Sequence, residues 1–122
     1  MPDKQDTKKI YSESEIIEKL KALPNWEYRQ GWIRRKYKTG GWPFTLMVVN
    51  AIGYLAEAGF HHPDLSVSWA EVHVKLQTHS AGGITDNDFE LATLIESHIT
   101  WKPDETASLE GFEKGFGKKW TR

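Results

Sequence analysis

The spacing of hydrophobic positions changes several times along this chain, and each change marks an element. Ile16, Ile17, Leu20 and Leu23 recur at i, i+1, i+4 and i+7, while Ser12 followed by Glu15 has the spacing of a capping box. Residues 13–23 are therefore expected to form an amphipathic helix, which Pro24-Asn25 stops. Trp26 and Tyr28 then alternate with charged neighbours, and Ile33, Arg35 and Tyr37 alternate with Trp32, Arg34 and Lys36. With Gln30-Gly31 between the two runs and Gly40-Gly41 after the second, the pattern predicts a hairpin.

Residues 44–58 are apolar on nearly every side, and Pro43 suits the start of a helix. Such a helix must be buried by a sheet or by another subunit. Gly59 fits the left-handed position that ends it, which leaves Glu57 in the last turn, where the negative end of the helix dipole disfavours a carboxylate. From Leu65 the period is two, but its phase slips: Leu65, Val67 and Trp69 share one parity, Val72, Val74 and Leu76 the other. A bulge near Ala70-Glu71 or two consecutive strands would reconcile them. Thr85 with Asp88 opens a last helix striped by Leu91, Ala92, Ile95 and Ile99. The order α, β, β, α, β, α predicts an α+β layer pair, an antiparallel sheet with helices on one face.

The 122 residues suffice for one domain, and 16 basic against 17 acidic groups give a net charge of -1. This balance argues against nucleic acid and anionic membranes as partners. Charge is uneven, however: ten basic and six acidic groups fall in residues 1–38, six and eleven in the rest. The run Arg34, Arg35, Lys36 and Lys38 reads as a solvated face or as an anion-steering patch. No stretch reaches the roughly 18 apolar residues of a membrane span, and the lysine- and aspartate-rich start lacks the apolar run of a secretory signal, so a cytoplasmic location is expected. With no cysteine, thiolate zinc sites, iron–sulfur clusters and cysteine nucleophiles are excluded.

Histidine and carboxylate must then supply any chemistry. His61 and His62 follow the apolar helix, and His79 ends the period-two run before Gly82-Gly83. Pro63 restrains His62 to extended backbone, in which neighbouring side chains diverge. His73 and His98 read as inert surface groups. For Glu57, His61, His62 and His79 the residues alone leave three readings open: accident, acid–base work, or a zinc or iron site. No HExxH signature supports the metal, and phosphate-cradling glycine loops and a GxSxG elbow are absent.

The run from Glu57 through Gly59, Phe60, His61, His62 and Pro63, then Trp69, His79, Gly82-Gly83-Ile84-Thr85 and Asp88, resembles the pterin-4a-carbinolamine dehydratase family, also known for a dimerisation-cofactor role. The spacing carries the resemblance: an acid four residues ahead of the paired histidines, an aromatic six past the proline, a histidine ten further on and an aspartate nine beyond that. Upstream it continues through Leu23-Pro24-Asn25-Trp26 and the strand at 33–38, so that residues 10–100 form the family-like domain. Residues 101–122, in which Trp101, Phe112, Phe116 and Trp120 sit among glycines, are expected to pack on the domain or on a neighbouring subunit.

The resemblance implies a four-stranded antiparallel sheet with three helices packed on one face, the fourth strand coming from a split at the phase slip. It implies a homodimer or homotetramer, and loss of water from a 4a-hydroxytetrahydropterin to give quinonoid dihydropterin. His61, His62 and His79 would be the acid–base groups, Glu57 and Trp69 would bind the pterin, and Asp88 would support His79. Imidazole, with a reference pKa of about 6.5, holds either form near neutrality, so neither metal nor organic cofactor is required. Other readings are a protein-dimerisation module and a pterin-binding protein without turnover, for example one handling a molybdopterin-type ligand.

Overall fold

The computed structural model describes residues 8–112. Its elements are α1 (Glu13–Lys19), β1 (Glu27–Arg29), β2 (Trp32–Lys38), α2 (Trp42–Gly59), β3 (Asp64–Ser68), β4 (Glu71–Leu76) and α3 (Asp86–Ile99), with short 3-10 turns at Leu20–Ala22 and His79–Ala81. The strands form one antiparallel sheet in the order β1-β2-β4-β3, and the helices cover one face of it. The fold is α+β, as the alternation of elements predicts.

The phase slip marks two strands and no bulge. Leu65 pairs with Val74 and Val67 with Val72 across a two-residue connection, Trp69-Ala70. In an antiparallel pair joined this way, partner positions have opposite parity, so a change of phase is what such a hairpin requires. The β1–β2 hairpin is equally tight. Arg29 pairs with Trp32, and Gln30 and Gly31 both take positive φ, 53° and 85°, the conformation that lets a two-residue turn follow the twist of its strands.

Ile33 and Tyr37 of β2 and Val72, Val74 and Leu76 of β4 point to the helices and are fully buried. They meet Val48, Ile52 and Ala56 of α2, Leu91, Ala92, Ile95 and Ile99 of α3, and Ile16 of α1. α1 begins with the expected capping box, Ser12 with Glu15. α2 runs longer than the apolar pattern suggests, from Trp42, and only part of it is covered. Trp42, Leu46, Met47 and Tyr54 stay exposed, Tyr54 at 74%. Gly59 remains helical and Phe60 takes the left-handed position, φ 52° and ψ 48°, one residue beyond the glycine expected there. Past α3, Phe112 returns to the domain and meets Phe44 edge to face at 5.1 Å, while Phe116 and Trp120 lie outside the described residues. Among those described, no helix is long and apolar enough to cross a membrane.

One buried polar cluster holds α3 to the sheet. Glu96 accepts hydrogen bonds from Arg35 Nε at 2.8 Å, Arg35 Nη2 at 3.0 Å, Tyr37 Oη at 2.7 Å and Trp26 Nε1 at 2.9 Å. Burial opposes ionisation of Glu96, but these donors, Arg35 first, outweigh it and hold the carboxyl below its ordinary range. Burial and the adjacent carboxylate push the Tyr37 phenol up.

Because Arg35 is 6% exposed, Glu96→Ala leaves a buried guanidinium without its partner, and a loss of about 3 kcal/mol is expected in urea unfolding at neutral pH. The depressed carboxyl makes the contribution of Glu96 complete above its unfolded pKa and lost as pH falls through the folded value. The gap between variant and parent should therefore narrow on acidification below the ordinary carboxylate range; a gap that widens there contradicts this assignment.

Candidate active site

Asp88 stands in the first turn of the last helix, three residues after its cap Thr85, and it is completely buried. As the third residue of α3 it closes the capping box, its Oδ2 accepting the backbone N–H of Thr85 at 2.9 Å. The start of a helix favours a carboxylate there. The same oxygen accepts the Thr78 hydroxyl at 2.7 Å, and Oδ1 lies 2.7 Å from His61 Nε2. Thr78 and Thr85 join each other through their hydroxyls at 2.8 Å. One carboxylate thus links the end of β4, the start of α3 and the segment that leaves α2.

That segment delivers the two adjacent histidines to different surroundings. The chain reverses at Phe60, and the His61 backbone N–H closes α2 on Ala56 O at 3.0 Å. The reversal sends the His61 ring inward to Asp88, with its side chain 12% exposed. His62, held extended before Pro63, turns outward at 53% exposure, and its Nε2 lies 2.8 Å from Glu57 Oε1. Glu57 breaks the helix-dipole rule at the end of α2, but it has an imidazole partner beside it. The Phe60 ring lies against His62 edge to face at 5.6 Å.

His79 opens the 3-10 turn after β4, next in sequence to Thr78 and hence adjacent to the Asp88 network. Its exposed ring meets Trp32 edge to face at 5.9 Å. A bridge between Thr78 and Gly83 closes this turn, and a Cβ on Gly83 would come within 2.7 Å of Ile10 Cγ2. Only glycine fits there without moving the Ile10 side chain.

Two expectations change. Asp88 gives its oxygens to His61, Thr78 and Thr85 instead of supporting His79, because its place in the first turn of α3 faces the end of α2. Trp69 does not join the histidines within one chain. Its carbonyl accepts the Thr45 hydroxyl at 2.9 Å, and a Cβ added to Gly41 would lie 4.0 Å from its ring, so it belongs to the start of α2, about 18 Å of helix away from Glu57. Thr78 and Trp32 enter the site unannounced. The adjacency of Thr78 to His79 was the one available signal, and nothing in the sequence paired Trp32 with His79. Among the described residues, no three His, Asp or Glu side chains gather as metal ligands.

Comparison with known proteins agrees on one family. The family model described as Pterin 4 alpha carbinolamine dehydratase matches residues 9–98. A protein of Aquifex aeolicus named "Putative pterin-4-alpha-carbinolamine dehydratase" is 49% identical over 88 residues, which cover 72% of this chain and 89% of that protein. One of the same name from Roseiflexus sp. is 40% identical over 85 residues, 70% of this chain and 91% of its own. Among solved structures, a transcriptional coactivator/pterin dehydratase from Brucella melitensis superposes with a TM-score of 0.70 at 28% identity, covering 76% of this chain and all of its own. A pterin dehydratase-like protein identified as a RuBisCO assembly factor in the alpha-carboxysome reaches 0.52 at 13% identity, over 63% of this chain and 89% of its own, and shares the fold.

Left-handed backbone strains a phenylalanine and suits glycine, and Phe60 is 75% exposed, so little burial is lost on its removal. Phe60→Gly should raise the urea midpoint, with a gain of about 1 kcal/mol. A lowered midpoint would mean that the Phe60–His62 contact outweighs the strain.

Proposed function

The chain belongs to the pterin 4 alpha carbinolamine dehydratase family, and on that premise we propose that it eliminates water from a 4a-hydroxytetrahydropterin to give quinonoid dihydropterin, using its histidines as acid and base. Hydroxide leaves carbon 4a poorly. Departure is eased when the lone pair of the neighbouring ring nitrogen pushes, an acid protonates the leaving oxygen and a base collects a ring proton.

The buried His61–Asp88 pair is the observation that carries this reading. A carboxylate only accepts, so neutral His61 carries its proton on Nε2 and offers the lone pair of Nδ1. Asp88, itself held by Thr78 and Thr85, thereby sets both the orientation and the tautomer of a base. The more exposed His62 and His79 supply the proton to the departing hydroxyl, with Glu57 orienting His62. A purely pterin-binding or dimerisation role would have no use for so constrained an imidazole.

Self-association belongs to the same proposal. The outward stripe of Trp42, Leu46, Met47 and Tyr54 on α2 offers a second copy an apolar face, and the short edge strand β3 offers unpaired backbone. Sedimentation is expected to show a dimer or tetramer that Leu46→Glu with Met47→Glu converts to monomer; a monomeric parent protein removes this part.

Purified protein should accelerate dehydration of enzymatically generated 4a-hydroxytetrahydropterin, and His61→Ala, His62→Ala and His79→Ala should each lower kcat, by roughly 10²–10⁴-fold for a group that transfers a proton. Unchanged rates in all three variants would end the acid–base assignment. Binding of pterin without acceleration would leave a binding protein.

A further inference from the structure

Trp32 connects the candidate site to the face of the sheet that no helix covers. Its ring meets His79 at 5.9 Å, and the ammonium of Lys75 sits 4.5 Å above the same ring. The ammonium is thus no farther from the imidazole than these two separations laid end to end.

Cations on this face are placed against one another. In the β2–β4 register Arg34 stands opposite Lys75. Like charges directly across a sheet repel, and this arrangement lowers stability unless something negative lies between them. Glu71 lies close enough to Lys36 and Lys38 to be stabilised by their charge, so the pair left without a counter-charge is Arg34 with Lys75. Glu27, across from Arg34, pairs with Arg29 at 3.3 Å, and Glu71 pairs with His73 at 3.0 Å. Asp64 lies across from Lys75 on β3, yet no ion pair joins them, and among the described residues Arg34, Lys36 and Lys75 enter none. Arg34 Nε donates to the Arg29 carbonyl at 3.0 Å, which orients the guanidinium, and among the described residues its terminal nitrogens make no hydrogen bond. Arg34, Lys36, His73 and Lys75 line a cavity of about 710 Å³ over this face.

We propose that the favoured substrate is a pterin whose side chain ends in a phosphate, with Lys75 and Arg34 as the specificity-determining residues that hold it. This rests on the dehydratase reading above. With the ring at the histidines, a three-carbon side chain and its phosphate ester reach along Trp32 toward Lys75, whose ammonium lies within the bound set by those two separations. Phosphate suits the pair better than carboxylate does. A phosphate monoester carries about two negative charges near neutrality, matching two opposed cations, and its oxygens accept both terminal nitrogens of a guanidinium.

Fluorescence titration with neopterin and neopterin monophosphate, neither of which reacts, tests this separately from turnover. The unmodified protein should bind the phosphate form about tenfold more tightly, an advantage that falls with added salt. Lys75→Met with Arg34→Gln should abolish the advantage while leaving neopterin binding within about twofold, and Lys75→Arg with Arg34→Lys should retain most of it. Equal binding of the two pterins, binding of neither, or an advantage that survives the neutral double variant overturns the proposal. Dehydration without any phosphate preference sinks this inference alone. Phosphate preference without dehydration sinks the catalytic reading and leaves the anion site standing.

Discussion

The geometry of the candidate site depends on one buried carboxylate. Asp88 closes the cap of α3, anchors the end of β4 through Thr78 and fixes the His61 ring. Removing it would leave a backbone N–H, a hydroxyl and an imidazole nitrogen without their acceptor inside the protein, each worth about 1–3 kcal/mol when buried and unsatisfied. A residue that caps a helix is replaceable on energetic grounds alone, since several side chains cap equally well. One that also sets the orientation and tautomer of a histidine is not. On the proposed acid–base reading, stability and chemistry use the same oxygens, and the acceptor that starts α3 also holds the His61 ring.

Much of this was legible in the chain because it is local. Capping boxes at Ser12 and Thr85 need only four consecutive residues, and both form. The parity change between Val67 and Val72 contains the β3–β4 hairpin, since a two-residue connection cannot preserve phase. His61 and His62 diverge as an extended backbone before proline requires. The misjudged features are those decided at a distance. Phe60 takes the left-handed position although Gly59 was free to, and the following residue is the one whose ring and backbone N–H are both engaged, on Asp88 and on Ala56. The tertiary anchor outweighs a local preference worth about 1 kcal/mol. Trp69 occupies a motif position in the sequence, but β3 carries it away from the histidines to the start of α2.

The basic run at 34–38 shows why charge counted along a sequence misleads in a strand. Alternation sends Arg35 to the covered face, where it is 6% exposed and bonded to Glu96, and sends Arg34, Lys36 and Lys38 the other way. The same stretch supplies a buried ion pair that ties α3 to the sheet and an exposed row of cations with a different use. Segregation of charge between the two parts of the chain accordingly does not produce two oppositely charged halves of the molecule. Its clearest structural result is the join between Arg35, from the basic part, and Glu96, from the acidic part.

The two ends of the sheet carry different duties as a consequence of topology. At the end where β4 finishes, α2 stops, α3 starts and β2 begins, so four chain termini of regular elements meet. Backbone groups left unpaired at such termini must be satisfied by side chains, which is why Thr78, Thr85 and Asp88 collect there. Polar groups assembled for that reason also make a place where imidazoles can be held. At the opposite end the β3–β4 turn packs on the start of α2 through Thr45, and its tryptophan faces solvent, 67% exposed. In a single chain that tryptophan has no part in the histidine site. In the proposed self-association, the uncovered stripe of α2, which begins beside it at Trp42, is the surface through which a neighbouring copy approaches this tryptophan.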